Sequence, residues 1–133
     1  MERALTLSLE EAVAMFNKWK DERAPVFVFG QNVFLPGLRS VHESHVDWNI
    51  SLRGEVAHVS VSSGTRSPAK NKVVFESPAG NFSLLIDHCV FSYSEPCERP
   101  PFVEPDPQFK TLSALFMYFP TNEVFVVYEL QEV

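Results

Sequence analysis

Four histidines, two cysteines and a handful of carboxylates are the side chains of this 133-residue sequence whose chemistry could reach beyond packing. His42 and His45 stand close together with Glu43 and Asp47 beside them, and His58 and His88 follow. Imidazole nitrogens and carboxylate oxygens are what zinc takes, about four donors to a tetrahedral site. Asp87, His88 and Cys89 are consecutive, and a nearby imidazolium lowers a thiol's pKa. On a strand, however, neighbouring side chains point to opposite faces, so these three make neither an acid–base dyad nor an activated thiol by themselves. Cys89 is therefore expected to be a buried structural thiol, and Cys97 the more accessible of the two. Glycine loops for phosphate are absent, since neither GxGxxG nor GxxxxGK occurs. The nucleophile elbow GxSxG is missing too.

The elements that would position the histidines start with residues 45 to 62, HVDWNISLRGEVAHVSVS, which alternate polar and apolar on both sides of Arg53-Gly54. Folding the chain back at that dipeptide pairs Trp48 with Val59, Ile50 with Ala57 and Val46 with Val61. The predicted hairpin has a dry face and a wet face, because strand side chains alternate with period two. His45, Asp47, Asn49, Ser51, His58, Ser60 and Ser62 share the wet face. In that register His45 and His58 are offset by four positions, so they do not share one ion. No metal and no cofactor is expected. The wet face supplies a candidate ligand-binding set, His45, Asp47, Asn49 and His58, to which Asp87 and His88 are added. No catalytic residue is assigned.

A helix opens the chain. Ser8 with Glu11 three residues on makes a capping box, and Leu9, Ala12, Val13, Phe16 and Trp19 recur on one stripe. Pro25 ends it, since the residue before a proline disfavours helical geometry, giving a helix over 9–22. Val26-Phe27-Val28-Phe29 then reads as a strand stopped by Gly30, and Val33-Phe34-Leu35 as another piece closed by Pro36-Gly37. Lys72–Glu76 and Phe82–Tyr93 flank the turn signal Ser77-Pro78-Ala79-Gly80-Asn81. Apolar parity changes within the second arm, which suggests a bulge near Asp87–Val90. Residues 94–108 carry five prolines and read as a surface segment.

The last hairpin, Thr111–Phe119 and Val124–Leu130, breaks the alternation. Leu112, Ala114, Phe116 and Tyr118 fill one face while Leu115, Met117 and Phe119 fill the other, and the partner arm does likewise. Strands apolar on both sides are covered on both sides. One short helix does not suffice for that, so Leu115, Met117, Phe119, Phe125 and Val127 are taken as a self-association interface.

Composition sets the remaining bounds. With 45% hydrophobic residues, a chain of this length can build a core without disulfide or metal staples. The formal net charge of −6 opposes a nucleic-acid partner, which needs a basic footprint, and it weighs against an RNA-binding small barrel. No stretch of about 18 apolar residues marks a membrane span. The start lacks the pattern of a signal peptide, so reduced thiols in the cytoplasm are expected. The resulting expectation is one α+β domain over 1–133. In it the N-terminal helix packs on a strongly curved, mostly antiparallel sheet or small barrel of six to eight strands. Two functions compete. The first is a non-enzymatic interaction module forming a homodimer through the C-terminal hairpin. The second is a binding protein or enzyme for a small apolar or aromatic molecule in a Phe-lined pocket, suggested by twelve phenylalanines against three tyrosines.

Overall fold

The computed structural model describes residues 5–32, 48–61, 71–94 and 109–132. The helix α1 spans Leu9–Glu22, as the periodicity predicts. Its capping box is formed: Ser8 Oγ accepts from the Glu11 N–H at 3.1 Å, and the Ser8 N–H donates to Glu11 Oε1 at 3.0 Å. That bond holds the Glu11 carboxyl below its ordinary range. Arg23 ends the helix in the left-handed region at φ 53°, its N–H returning to the Lys20 carbonyl at 3.1 Å.

Among the described residues eight strands flank the helix: β1 (Leu5–Leu7), β2 (Val26–Asn32), β3 (Asn49–Ser60), β4 (Lys72–Ser77), β5 (Gly80–Leu85), β6 (Val90–Ser94), β7 (Phe109–Tyr118) and β8 (Glu123–Glu132). They form one antiparallel sheet in the order β1-β6-β7-β8-β2-β3-β4-β5. The α+β expectation and its antiparallel sheet hold. Among the described residues the ladder has two edges, β1 and β5, and is not closed into a barrel.

It is nonetheless tightly curled. β5 and β6 stand six places apart in the sheet, roughly 29 Å if the strands lay flat. Only Ile86–Cys89 connects them, and such a stretch spans at most about 18 Å. The sheet must bend to bring its ends together. The rings of Phe82 on β5 and Phe125 on β8 accordingly meet at 5.7 Å across the concave side. That side holds the main core, with Phe16 and Trp19 of α1 packed among Val26, Val28, Phe75, Phe91, Leu115, Met117 and Val127. Phe16 meets Trp19 and Phe75 edge to face, at 5.8 and 6.1 Å. Each large side chain buried here contributes on the order of 2–3 kcal/mol.

The central hairpin expected over 45–62 does not form. Residues Asn49–Ser60 are one continuous strand, in which Arg53 pairs with Phe27 and Gly54 with Val26. Ile50 lies opposite Gly30 instead of Ala57, and Val59 opposite Val73 instead of Trp48. The apolar parity does switch within this stretch, from Ile50, Leu52 and Val56 to Val59, but a bulge between Val56 and His58 switches it. A bulge and a two-residue turn both displace the alternation by one residue, so the pattern alone fits either. Gly54 has another task. β3 pairs with β2 through Gly54 and with β4 from Glu55, and a Cβ at position 54 would stand 1.8 Å from the Glu76 carbonyl oxygen.

Two further boundaries differ from expectation. β2 runs through Gly30 to Asn32 because the Phe125 ring lies over Gly30 from the neighbouring strand and fills the space a side chain would take. The arm read as Phe82–Tyr93 is two strands, β5 and β6, separated by a turn at Asp87-His88. The turn at Pro78-Ala79 and the C-terminal hairpin with its turn before Glu123 are as expected. The readings on Val33–Leu35, on Pro36-Gly37 and on 95–108 lie outside the described residues.

Gly54→Ala is expected to destabilise the fold by about 1–3 kcal/mol, since the obstacle is backbone with no rotamer to yield. Urea denaturation with an unchanged m-value would register it. An alanine variant as stable as the native chain would mean that β4 does not cross β3 so closely.

Candidate functional site

The wet-face set is not brought together. Asn49 and His58 are both exposed on β3 but sit at opposite ends of it, Asn49 opposite Gln31 and His58 opposite Val74. His45 and Asp47 lie outside the described residues. Asp87 and His88 occupy the β5–β6 turn, and only His88 is exposed. The Asp87 carboxylate is already engaged: its Oδ1 accepts from the Asn71 backbone N–H at 2.9 Å and from Asn71 Nδ2 at 2.8 Å. With the Ile86 N–H donating to the Asn71 carbonyl at 2.8 Å, these bonds fasten the short connection to the head of β4. Asp87 is a structural latch. Asn71 is buried, and its Oδ1 is the one buried side-chain oxygen among the described residues with no hydrogen-bond partner.

Among the described residues no group of three or more His, Cys, Asp or Glu side chains could hold a metal. Cys89 is half-buried beside Asp87, and burial first, then the Asp87 charge, pushes its thiol up to about 12. It is a poor nucleophile at neutral pH. A charged group does assemble where α1 meets the sheet. Glu55 and Glu76 face each other across β3 and β4, and Arg23 Nε donates to Glu55 Oε1 at 3.1 Å. Glu55 and, more weakly, Glu76 hold the Arg23 guanidinium above its ordinary pKa. The guanidinium is 82% exposed, so solvent screens most of this interaction. Beside the cluster, Pro25, Arg53, Glu76 and Pro78 line an open cleft of about 700 Å³. A smaller cleft of about 360 Å³ lies between α1 and β6, with Leu7, Met15, Trp19 and Tyr93 in its wall.

The five residues expected at an interface all belong to the concave side. Leu115, Met117 and Val127 are fully buried, Phe125 is 5% exposed, and Phe119 packs partly buried against the same core. Their companions on the same two strands point the other way. Ala114, Val126, Tyr128 and Leu130 form a second buried cluster on the convex side, joined by Phe27, Phe109, Phe116 and Val124. This cluster runs on into exposed residues. Val90, Tyr118 and Val124 stand in one row across β6, β7 and β8, with Val90 59% and Tyr118 44% exposed. Phe116 stacks on Tyr118 at 6.4 Å, the rings 12° from parallel. The sequence shows that both faces of this hairpin are apolar. It does not show which one the helix covers, because the two sets are equally apolar and parity carries no label for inside.

No helix among the described residues is long and apolar enough to cross a membrane. No protein-family model matches the chain, and neither does any curated protein or solved structure.

In a Cys97→Ser background, Cys89 is expected to react with iodoacetamide at pH 8 far more slowly than the unfolded chain does. Because the folded thiol titrates near 12 rather than 9, its contribution to stability is complete below about pH 9 and is lost as pH rises towards 12. Rapid native-state labelling at pH 8 would show that the thiol is not buried.

Proposed function

We propose that the chain is a small non-enzymatic interaction module that self-associates through the convex face of its C-terminal hairpin. The observation that carries this reading is the apolar row Val90–Tyr118–Val124, in which the exposed Val90 and Tyr118 continue the partly buried Val124 and the convex cluster to the surface. Exposed apolar side chains are ordinary when scattered and informative when contiguous. Here the exposed Val90 and Tyr118 lie side by side on adjacent strands, the partly buried Val124 continues the row, and Phe116 stacks on Tyr118. Aromatic residues on a rigid sheet make good anchors, because they bury much area at little cost in side-chain freedom. The partner in this reading is a second copy, which meets the same patch about a twofold axis.

A second reading, a binding site for a small apolar or aromatic molecule, draws on the cleft walled by Leu7, Met15, Trp19 and Tyr93. Its volume of about 360 Å³ suits a small ligand, and its wall adds Glu11, Lys18 and Glu129 to those apolar side chains.

Native mass spectrometry of the purified protein separates the two. A bare oligomer whose size Tyr118→Glu lowers, with unchanged circular dichroism, is the expected result. Met117→Glu should instead unfold the chain, because that side chain is fully buried in the concave core. A native monomer, or an oligomer indifferent to Tyr118→Glu, would overturn the self-association reading. A monomer carrying a small adduct would favour the cleft.

A further inference from the structure

Among the described residues β5 forms one edge of the sheet, and its turn fixes its hydrogen-bonding phase. Two residues, Pro78 and Ala79, join Ser77 to Gly80, so the pair 77/80 exchanges backbone hydrogen bonds. Bonded and non-bonded pairs then alternate: Phe75/Phe82 and Val73/Leu84 are bonded, while Glu76/Asn81, Val74/Ser83 and Lys72/Leu85 are not. The bond from the Ile86 N–H to the Asn71 carbonyl falls on the same phase, one pair beyond Lys72/Leu85. The N–H and C=O groups of Asn81, Ser83 and Leu85 therefore point away from β4, out of the sheet. These three residues are exposed, Leu85 by 56%. Natural edges are usually guarded by charge, proline or shortness. This one, Gly-Asn-Phe-Ser-Leu-Leu, carries neither a charge nor a proline over six residues.

We infer that β5 pairs antiparallel with β5 of a second copy, about a twofold axis at Ser83, at a surface separate from the convex face of the hairpin. The edge is complementary to itself in that register. Asn81 meets the second copy's Leu85, Ser83 meets Ser83, and all three residues have their free groups in the phase that bonded pairs require, giving about six hydrogen bonds between copies. Between them Phe82 stands opposite the second copy's Leu84, apolar against apolar on the concave side. Because β5 is uncharged, doubling it opposes no like charges. Glu76 flanks Asn81 and Lys72 flanks Leu85, so each outer row ends in a glutamate on one copy and a lysine on the other. Unlike charges at the two ends of each row favour the antiparallel register over a parallel one, which would end one row in two lysines and another in two glutamates.

Disulfide trapping tests this in full-length protein with Cys89→Ser and Cys97→Ser. A bonded antiparallel pair has Cα atoms about 5.5 Å apart, inside the range a disulfide spans. Ser83→Cys should cross-link to itself under mild oxidation. Asn81→Cys should not, since the two copies of position 81 would be about 14 Å apart. The Asn81→Cys, Leu85→Cys double variant should cross-link again. All three positions are exposed, and circular dichroism verifies the fold before oxidation. Failure of folded Ser83→Cys to cross-link, or cross-linking no faster than Asn81→Cys, would overturn the pairing. Adding Tyr118→Glu should leave Ser83→Cys cross-linking unchanged, which separates failure here from failure of the convex face. Loss of cross-linking with Tyr118→Glu would mean that β5 does not pair independently and would overturn the inference as well.

Discussion

A connection of four residues, Ile86–Cys89, joins strands six places apart in an eight-stranded sheet. Most of the architecture follows from that tether. A flat sheet is out of its reach, so the strands curl and the concave side becomes deep enough to take a helix. Phe82 is carried round until its ring meets Phe125, and β3 changes partners at a glycine where β4 passes closest. The tether is itself pinned at both levels of its chemistry, by a backbone bond from Ile86 and by the Asp87 carboxylate on Asn71. A carboxylate that the sequence offers as a candidate ligand-binding group is the clasp of this closure.

How much of this could be read in advance depended on the range of the interactions. The helix was legible to the residue, because capping and stripe are local: Ser8, Glu11, Phe16 and Trp19 lie within one short segment. The C-terminal hairpin was legible as well, since its turn chemistry and strand lengths are neighbours in sequence. Arg53-Gly54 was misread because its glycine answers a distant carbonyl, that of Glu76, and not a local turn. The nearby parity switch comes from a bulge at Ala57. Likewise Gly30 looks like a strand terminator until Phe125, some hundred residues later, is laid over it. Of the candidate site, the sequence revealed that chemistry is sparse and that the hairpin is apolar on both sides. Which side lies under the helix is a tertiary fact, and on it the choice between Met117 and Tyr118 turned.

The two faces of that hairpin illustrate how a curled sheet divides its labour. The concave side collects side chains from α1 and from strands on both flanks of the bend, so its members are held by many partners. On the convex side Ala114, Val126, Tyr128 and Leu130 form a smaller buried cluster of their own. There Phe116 and Tyr118 find each other by stacking along the same strand. The free edge at β5 is a third kind of surface, one that offers backbone groups where the faces offer side chains.

The order of the strands also governs when this protein can fold during its synthesis. β2 begins at residue 26 and lies against β8, pairing Val26 with Glu129. β8 in turn separates β2 from β7 in the middle of the sheet. A nascent chain that has emerged from the ribosome through β7 thus holds two fragments with no strand to join them, β2-β3-β4-β5 on one side and β1-β6-β7 on the other. Phe16 and Trp19 have by then lost nothing of their need for burial, yet Phe125 and Val127 of their core arrive only with β8. Unpaired strands in that interval are the natural prey of aggregation and the natural client of a chaperone.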